Sequence, residues 1–201
     1  MAAIADDATF PARRGSPRRM GAPTLTVAAN AFWVVWPPSQ QRSGRPTSQA
    51  ACRRVLHDLV GRVMVSPGVD LFNAVEAGVP TDLVTVIAGA TGEPVINVMN
   101  LIGVSQTTFR RKEEAREPLP DVAGHRLMGY LRVLATLRRL LAESGDPAQV
   151  RAFDLESWVA QWMREELPDL GGKTPAEMLR NPEGQRAVEQ VLERMRGGLP
   201  A

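Results

Sequence analysis

Cysteine, histidine and tyrosine are scarce in this sequence of 201 residues, which contains one, two and one of them respectively. The single thiol, Cys52, excludes an intramolecular disulfide and is typical of a protein kept in a reducing compartment. We interpret it as an inert thiol rather than a catalytic nucleophile. His57 and His125 lie on different segments without partners at metal-ligand spacing, so we expect no metal site and no cofactor.

A long apolar run is also missing. The most apolar stretch, Thr24 to Trp36, is shorter than the ~20 residues that a membrane-spanning helix needs, and Pro37 follows it. Asp6 and Asp7 stand where a signal peptide carries positive charge. The sequence therefore predicts a cytoplasmic protein without a membrane span.

Motifs of common enzyme classes are absent as well. No serine has the G-x-S-x-G context of a hydrolase nucleophile. The run Gly171 to Thr174, GGKT, imitates the end of a phosphate-binding loop, but Leu167 occupies the place of the earlier glycine and Pro175 follows at once. We therefore predict that the chain is not an enzyme.

Basic charge is concentrated at the start of the chain. Residues 1–55 carry a net charge of +6, whereas the remainder carries −4. We interpret residues 1–66 as a basic, mostly disordered N-terminal extension. The phase of the apolar residues at its end allows a short helix over residues 49–65.

The rest of the chain has the apolar spacing of helices, which predicts an all-α fold. Short helices are predicted over residues 71–77 and 81–90, although the β-branched content of the second also allows a strand. A long helix is predicted from Asp121 to Glu143, with leucines along one face. Asp146 is expected to cap the helix that follows.

Residues 93–114 have the spacing of a helix-turn-helix. One helix is predicted to end at Ile102, Gly103 makes the turn, and Ser105 caps a second helix that ends at Glu114. The hydroxyl, amide and cationic side chains near the start of the second helix suit DNA. The predicted DNA contacts are Ser105, Gln106, Thr107, Arg110, Arg111 and Lys112.

An alternative stays open for this helix pair. Met99 occupies a position that usually holds a small residue, and Glu113, Glu114 and Glu117 would repel phosphate. A degenerate helix-turn-helix that only dimerises is also consistent with these residues.

The last third of the chain is organised around Leu170 to Leu179, which we interpret as a hinge between two amphipathic helices. Gly171 and Gly172 allow positive φ, Thr174 and Glu177 have capping-box spacing, and Pro175 takes the first helical position. The helices before and after the hinge have apolar faces formed by Leu155, Trp158, Val159 and Trp162, and by Val188, Val191, Leu192 and Met195.

This last third resembles the toxin-binding domain of Xre/MbcA/ParS family antitoxins. The resemblance depends on a tryptophan helix, the LGGKTP hinge, a PEG turn and a final helix that ends near glycine. The matching residues are Trp158, Trp162, Leu170, Gly171, Gly172, Thr174, Pro175, Leu179, Pro182, Gly184, Val188, Leu192 and Gly197. The run Gly103 to Lys112, GVSQTTFRRK, is also similar to a run in Xre-like regulators.

The resemblance implies an antitoxin that neutralises a RES-domain toxin, which consumes NAD or transfers ADP-ribose from it. It implies that the C-terminal domain covers the NAD site of the toxin, and that the antitoxin forms homodimers and binds operator DNA. The toxin contacts carried over are Trp158, Gly171, Gly172, Lys173, Thr174, Glu193, Arg194, Arg196, Gly197 and Gly198. A different interpretation is a stand-alone transcriptional regulator whose C-terminal domain binds another ligand or partner.

These interpretations divide the chain into four parts. The N-terminal extension covers residues 1–66, and the helix-turn-helix region, for DNA binding and dimerisation, covers residues 67–119. A long connecting helix occupies residues 120–145, and the toxin-binding domain covers residues 146–201.

Overall fold

The computed structural model describes Pro46, residues 48–144 and residues 147–196. In these parts of the chain the structure is all-α, as predicted, and the only extended pairings are two isolated bridges, Pro80 with Pro118 and Leu167 with Lys173. The predicted basic tail, the apolar run at residues 24–36, the Asp146 cap and the last five residues lie outside the described residues.

Ten α-helices and one 3₁₀ turn follow one another along the described residues. The α-helices are α1 (Gln49–Val65), α2 (Gly68–Glu76), α3 (Asp82–Thr91), α4 (Val95–Ile102), α5 (Gln106–Glu114), α6 (Asp121–Ser144), α7 (Pro147–Ala152), α8 (Leu155–Trp162), α9 (Pro175–Met178) and α10 (Pro182–Arg196). The 3₁₀ turn is Pro168–Leu170. Residues 82–91 therefore form a helix, and the strand that their β-branched residues also allowed is excluded.

Helix α1 is central to the fold although it lies in the predicted N-terminal extension. Ser48 caps it by accepting a hydrogen bond from the Ala51 N–H at 3.2 Å. Its apolar face is buried against α3 and α6. A Cβ added at Gly89 of α3 would lie 2.5 Å from the Cys52 sulfur, so α1 and α3 approach too closely for a larger residue.

Helix α6 is the long helix against which both the N-terminal and the C-terminal helices pack. Leu127, Leu131 and Leu134 are almost completely buried, which confirms the leucine face as core. The helix contacts α1, α2 and α4 on the N-terminal side and α8 and α10 on the C-terminal side. The hydrophobic core runs without a break from α1 to α10, so the residues on either side of α6 share one core.

The segment from Val79 to Leu119 closes on itself around α3, α4 and α5. The Leu119 N–H donates to the Val79 carbonyl at 2.8 Å, next to the bridge between Pro80 and Pro118. Gly78 has a φ of +97°, and a Cβ there would lie 2.7 Å from Pro118. The backbone therefore fixes both ends of the segment that contains α3, α4 and α5 at the same place on the core.

Candidate functional site

The tryptophan helix α8 begins at Asp154, which is also its connection to the N-terminal half. The Asp154 carboxylate accepts from the Ser157 N–H at 3.2 Å, as an N-cap does, and from Arg53 of α1 at 2.6 Å. Arg53 also donates to the Ala90 carbonyl at 3.0 Å. Burial raises the pKa of Asp154, but the Arg53 and Ser157 hydrogen bonds outweigh it and leave that pKa below its usual value.

The double-glycine turn is built as the sequence predicted. Gly171 and Gly172 have φ values of +66° and +75°. The Gly172 N–H donates to the Leu167 carbonyl at 3.0 Å, and the Leu167 N–H donates to the Lys173 carbonyl at 3.2 Å. Nothing lies within 4 Å of a Cβ added at either glycine, so positive φ alone is what favours glycine here.

The predicted capping box at the start of α9 is confirmed. The Thr174 hydroxyl accepts from the Glu177 N–H at 3.2 Å, and the Glu177 carboxylate accepts from the Thr174 N–H at 3.0 Å. This backbone hydrogen bond lowers the pKa of Glu177. The Ala176 N–H donates to the Met163 carbonyl at 3.0 Å, so α9 is tied to the end of the tryptophan helix.

Helix α10 begins at Asn181, whose side-chain oxygen accepts from the Gly184 N–H at 2.8 Å. A Cβ added at Gly184 would lie 2.0 Å from the Met178 carbonyl oxygen, so α10 can approach the preceding turn only with glycine at this position. The apolar residues of α10 face the core, except that Met195 is 36 % exposed.

Ion pairs hold the end of α10 in place. Arg194 lies 3.1 Å from Asp169 of the 3₁₀ turn, which brings the end of α10 beside Gly171. Glu193 lies 3.3 Å from Arg139 of α6. Arg196 lies 3.0 Å from Glu143, also of α6, and 3.5 Å from Glu193.

The predicted toxin contacts therefore fall into three groups. The hinge residues Gly171, Gly172 and Lys173 are exposed, and the Arg194–Asp169 pair connects the 3₁₀ turn just before them to the end of α10. Trp158 is half-buried and stacks on the buried Trp162 with ring centroids 5.8 Å apart. The remaining members are Thr174, Glu193 and Arg196, which are at least partly exposed, and Gly197 and Gly198, which lie outside the described residues.

The helix pair α4–α5 joins at a turn that is fixed by Gly103. This glycine has a φ of +72°, and the Val104 N–H closes the end of α4 on the Met99 carbonyl at 2.9 Å. Ser105 caps α5 by accepting from the Thr108 N–H at 3.2 Å, as predicted. Met99 is buried, since its flexible side chain fits where a smaller residue was expected.

The outer face of α5 exposes most of the predicted DNA contacts. Ser105, Gln106, Thr107, Arg110 and Arg111 are exposed. Lys112 differs, because its side chain is only 21 % exposed and lies 2.9 Å from the Glu117 carboxylate. The Lys112 hydrogen bond and charge lower the pKa of Glu117. One of the acidic residues that would repel phosphate is thus neutralised within the chain.

Three features of these surfaces were not found from the sequence. Arg53 and Asp154 are separated by 101 positions, and Asp169 and Arg194 by a whole helix. A cavity lies between α4 and α9, with Tyr130 of α6 in its wall. No local sequence pattern identifies partners that only the folding of the chain brings together.

Metal chemistry and a membrane span find no support in the part of the chain that the structure describes. Among residues 48–144 and 147–196 there is no group of three or more His, Cys, Asp and Glu side chains that could hold a metal ion. No helix in these ranges is both long enough and apolar enough to cross a bilayer. Cys52 is buried, and this burial raises the pKa of its thiol.

The sequence was compared with known families and with curated proteins. Residues 148–198 match the family model of the antitoxin Xre/MbcA/ParS C-terminal toxin-binding domain. A curated relative, the Prs ADP-ribosylating antitoxin of Sphingobium sp. (strain YBL2), is 28 % identical over 131 residues, which cover 65 % of this chain and 80 % of the relative. The matched domain contains the hinge, the tryptophan helix and α10, so the predicted resemblance is confirmed. Residues 148–198 are therefore similar in sequence to the toxin-binding domain of the Xre/MbcA/ParS family of antitoxins.

Proposed function

We propose that this chain is an antitoxin, without enzymatic activity of its own, that neutralises a RES-domain toxin by covering the toxin's NAD site. The observation that carries the proposal is the Arg194–Asp169 pair at 3.1 Å. It joins the double-glycine turn and the end of α10 into one surface within the domain that matches the family. The name of the Sphingobium relative includes ADP-ribosylation, which fits a toxin that uses NAD.

The charges on this surface are suited to exchange of partners. An arginine that enters the toxin's NAD site would exclude NAD by occupying its place. Arg194 and Arg196 have side chains that are 42 % and 50 % exposed, and both are held by carboxylates of the same chain. Exposed ion pairs are worth about 0–1 kcal/mol, so the toxin can replace Asp169 or Glu143 at small cost.

The proposal can be tested by measuring growth and cellular NAD in a host that expresses a RES-domain toxin encoded beside this chain. Coexpression of the chain should restore both, and a variant with the hinge changed from Gly171-Gly172 to two valines should not. If a soluble wild-type chain restores neither growth nor NAD, neutralisation of such a toxin is wrong.

We further propose that the helix pair binds operator DNA. The support is the exposed row of amide, hydroxyl and guanidinium groups on α5, together with the Ser105 cap that fixes its start. If the chain restores no growth but binds the DNA upstream of its own gene, the stand-alone regulator becomes the better interpretation. If it binds no DNA, the alternative of a degenerate pair that only dimerises is favoured.

A second copy of the chain is the proposed partner for the surface between α1 and α2. Val65, Val69 and Phe72 are 81 %, 62 % and 62 % exposed there. Next to them lies a groove lined by Arg132, Arg139 and their carboxylate partners on α10. A projection and a recess on the same face allow an isologous dimer. Phe72→Glu should shift the chain from dimer to monomer in sedimentation, and an unchanged mass would exclude this surface.

A further inference from the structure

A cavity of about 280 Å³ separates the helix pair from the hinge. Its volume lies just below the roughly 300–1,000 Å³ of common ligand sites. One wall is formed by Ile87, Val98 and Leu101, and the opposite wall by Ala160, Met163 and Ala176. Because α3 and α4 contribute one side and α8 and α9 the other, a molecule in the cavity would contact both halves of the chain.

The cavity is lined by a polar group for which the described residues provide no hydrogen-bond partner. Tyr130 is 2 % exposed and lines the cavity, yet its hydroxyl makes no hydrogen bond within the described residues. Thr91, the other hydroxyl residue in the wall, donates to the Ile87 carbonyl at 2.9 Å. Buried polar groups nearly always have a hydrogen-bond partner, so the Tyr130 hydroxyl offers a free donor to an occupant.

The carboxylates near Tyr130 disfavour an anion beside its hydroxyl. Burial, together with the Glu93 and Glu156 carboxylates, raises the pKa of Tyr130, which therefore stays a neutral donor. The same carboxylates would repel a negative ligand. Arg164 at the rim is paired with Glu93, and Arg180 is exposed to solvent.

Amide groups complete the lining. Asn97 is half-buried and Asn100 is exposed, and both face the cavity from α4. An asparagine amide offers a donor and an acceptor side by side, which matches another carboxamide. The carbonyl of such a ligand can accept from Tyr130 while its NH₂ group donates to an asparagine oxygen.

We propose that the cavity between α4 and α9 binds a small uncharged molecule with an apolar ring and a carboxamide group. The apolar walls hold the ring, the Tyr130 hydroxyl donates to the ligand carbonyl, and the asparagines hold the amide nitrogen. The proposal does not depend on the toxin, because the residues that carry it lie outside the proposed toxin contacts.

Benzamide is a suitable probe. Its binding can be measured by titrating it into the full chain and monitoring the titration by calorimetry and by protein-observed NMR. A probe of this size should bind with a dissociation constant on the order of 1 mM. Tyr130→Phe removes only an unpaired hydroxyl, so the variant should fold as well as the wild type and bind benzamide about three- to tenfold more weakly.

Two further measurements make the outcome decisive. Benzoate, which has the same ring but a negative charge, should bind more weakly than benzamide. Ala176→Leu, with its fold checked by thermal unfolding, should fill part of the cavity and prevent binding. No saturable binding of benzamide, equal binding by wild type and Tyr130→Phe, or tighter binding of benzoate would each overturn the proposal.

Discussion

The two turns that carry the candidate functional residues have the same local design but differ in the burial of the residue at their middle. In each, a glycine with positive φ is followed by one residue and then by a hydroxyl residue that caps the next helix, at Gly103 to Ser105 and at Gly172 to Thr174. The middle residue differs. Val104 is 6 % exposed and is part of the core, whereas Lys173 is exposed.

The difference separates a turn whose middle residue packs in the core from a turn whose middle residue is exposed to solvent. Burial of Val104 anchors the helix pair to the core and leaves the outer face of α5 available for a partner. The hinge is anchored in the core by Leu170 and Leu179, but the turn between them is held by backbone hydrogen bonds, a capping box and an ion pair at the surface. Such contacts can be exchanged one by one at small cost, which suits a surface that must adapt to a protein partner.

Exchange of the two middle residues is the strongest test of this comparison. Val104→Lys places a charge in the core, and we expect it to lower the free energy of unfolding by on the order of 3 kcal/mol. Lys173→Val changes an exposed position and should alter it by less than about 0.5 kcal/mol. Urea denaturation measures both values. Equal losses in the two variants would show that the side chain at position 173 is held by packing too.

The sequence was sufficient to predict local contacts but not contacts between residues that are distant in the chain. The caps at Ser105 and Thr174 depend on neighbours three positions away, so the sequence was sufficient to predict them. The place of α1 in the core was not predicted, because it depends on the fit of Cys52 against Gly89. Contacts between residues distant in the chain leave no periodic pattern to recognise.

The outer face of α5 permits a test in which packing is unchanged. Arg110 is exposed with no ion pair among the described residues, whereas Lys112 is engaged by Glu117. Arg110→Ala should weaken binding to the DNA upstream of the gene about tenfold, at fixed salt, since a guanidinium contact is worth about 1–3 kcal/mol. Lys112→Ala should change it by less than about threefold.

Fluorescence anisotropy with labelled DNA gives both affinities. The unfolding transitions of the two variants should coincide with that of the wild type, which makes the comparison one of contacts alone. Unchanged affinity after combining Arg110→Ala with Arg111→Ala would contradict DNA binding by this face.

The Arg53–Asp154 pair connects α1 to the start of the tryptophan helix α8, and its contribution to stability should depend on pH. Arg53→Ala should lower the free energy of unfolding at pH 7 by about 1 kcal/mol, because the pair is partly exposed and Arg53 also donates to the Ala90 carbonyl. The pKa of Asp154 is lowered in the folded state. The stabilisation from its charge is therefore fully present above the unfolded value of about 3.9 and is lost as pH falls through the folded pKa.

The difference in stability between wild type and Arg53→Ala should accordingly shrink when unfolding is measured at pH 3 rather than at pH 7. Arg54→Ala, at the exposed neighbouring position, is the matched control and should show no such change. A difference that is the same at both pH values would mean that Arg53 acts through Ala90 and its aliphatic stem.

The smallest expected effect, that of Asp169→Ala on toxin binding, is the most informative for the hinge. Arg194 is predicted to contact the toxin, but in this structure it also holds Asp169 at 3.1 Å. If Arg194 contacts the toxin directly, Arg194→Ala should weaken toxin binding as a hot-spot residue does, by about 2 kcal/mol or more. Asp169→Ala should change toxin affinity by less than about threefold, because it only releases the arginine from an exposed pair.

If Arg194 instead acts by positioning the hinge, both variants should lose affinity to the same extent, since each breaks the same contact. Affinity measured by calorimetry with purified toxin, supported by growth rescue, distinguishes the two. A chain that ends at Arg194 and still neutralises fully would in addition show that Arg196 and the residues after it are dispensable.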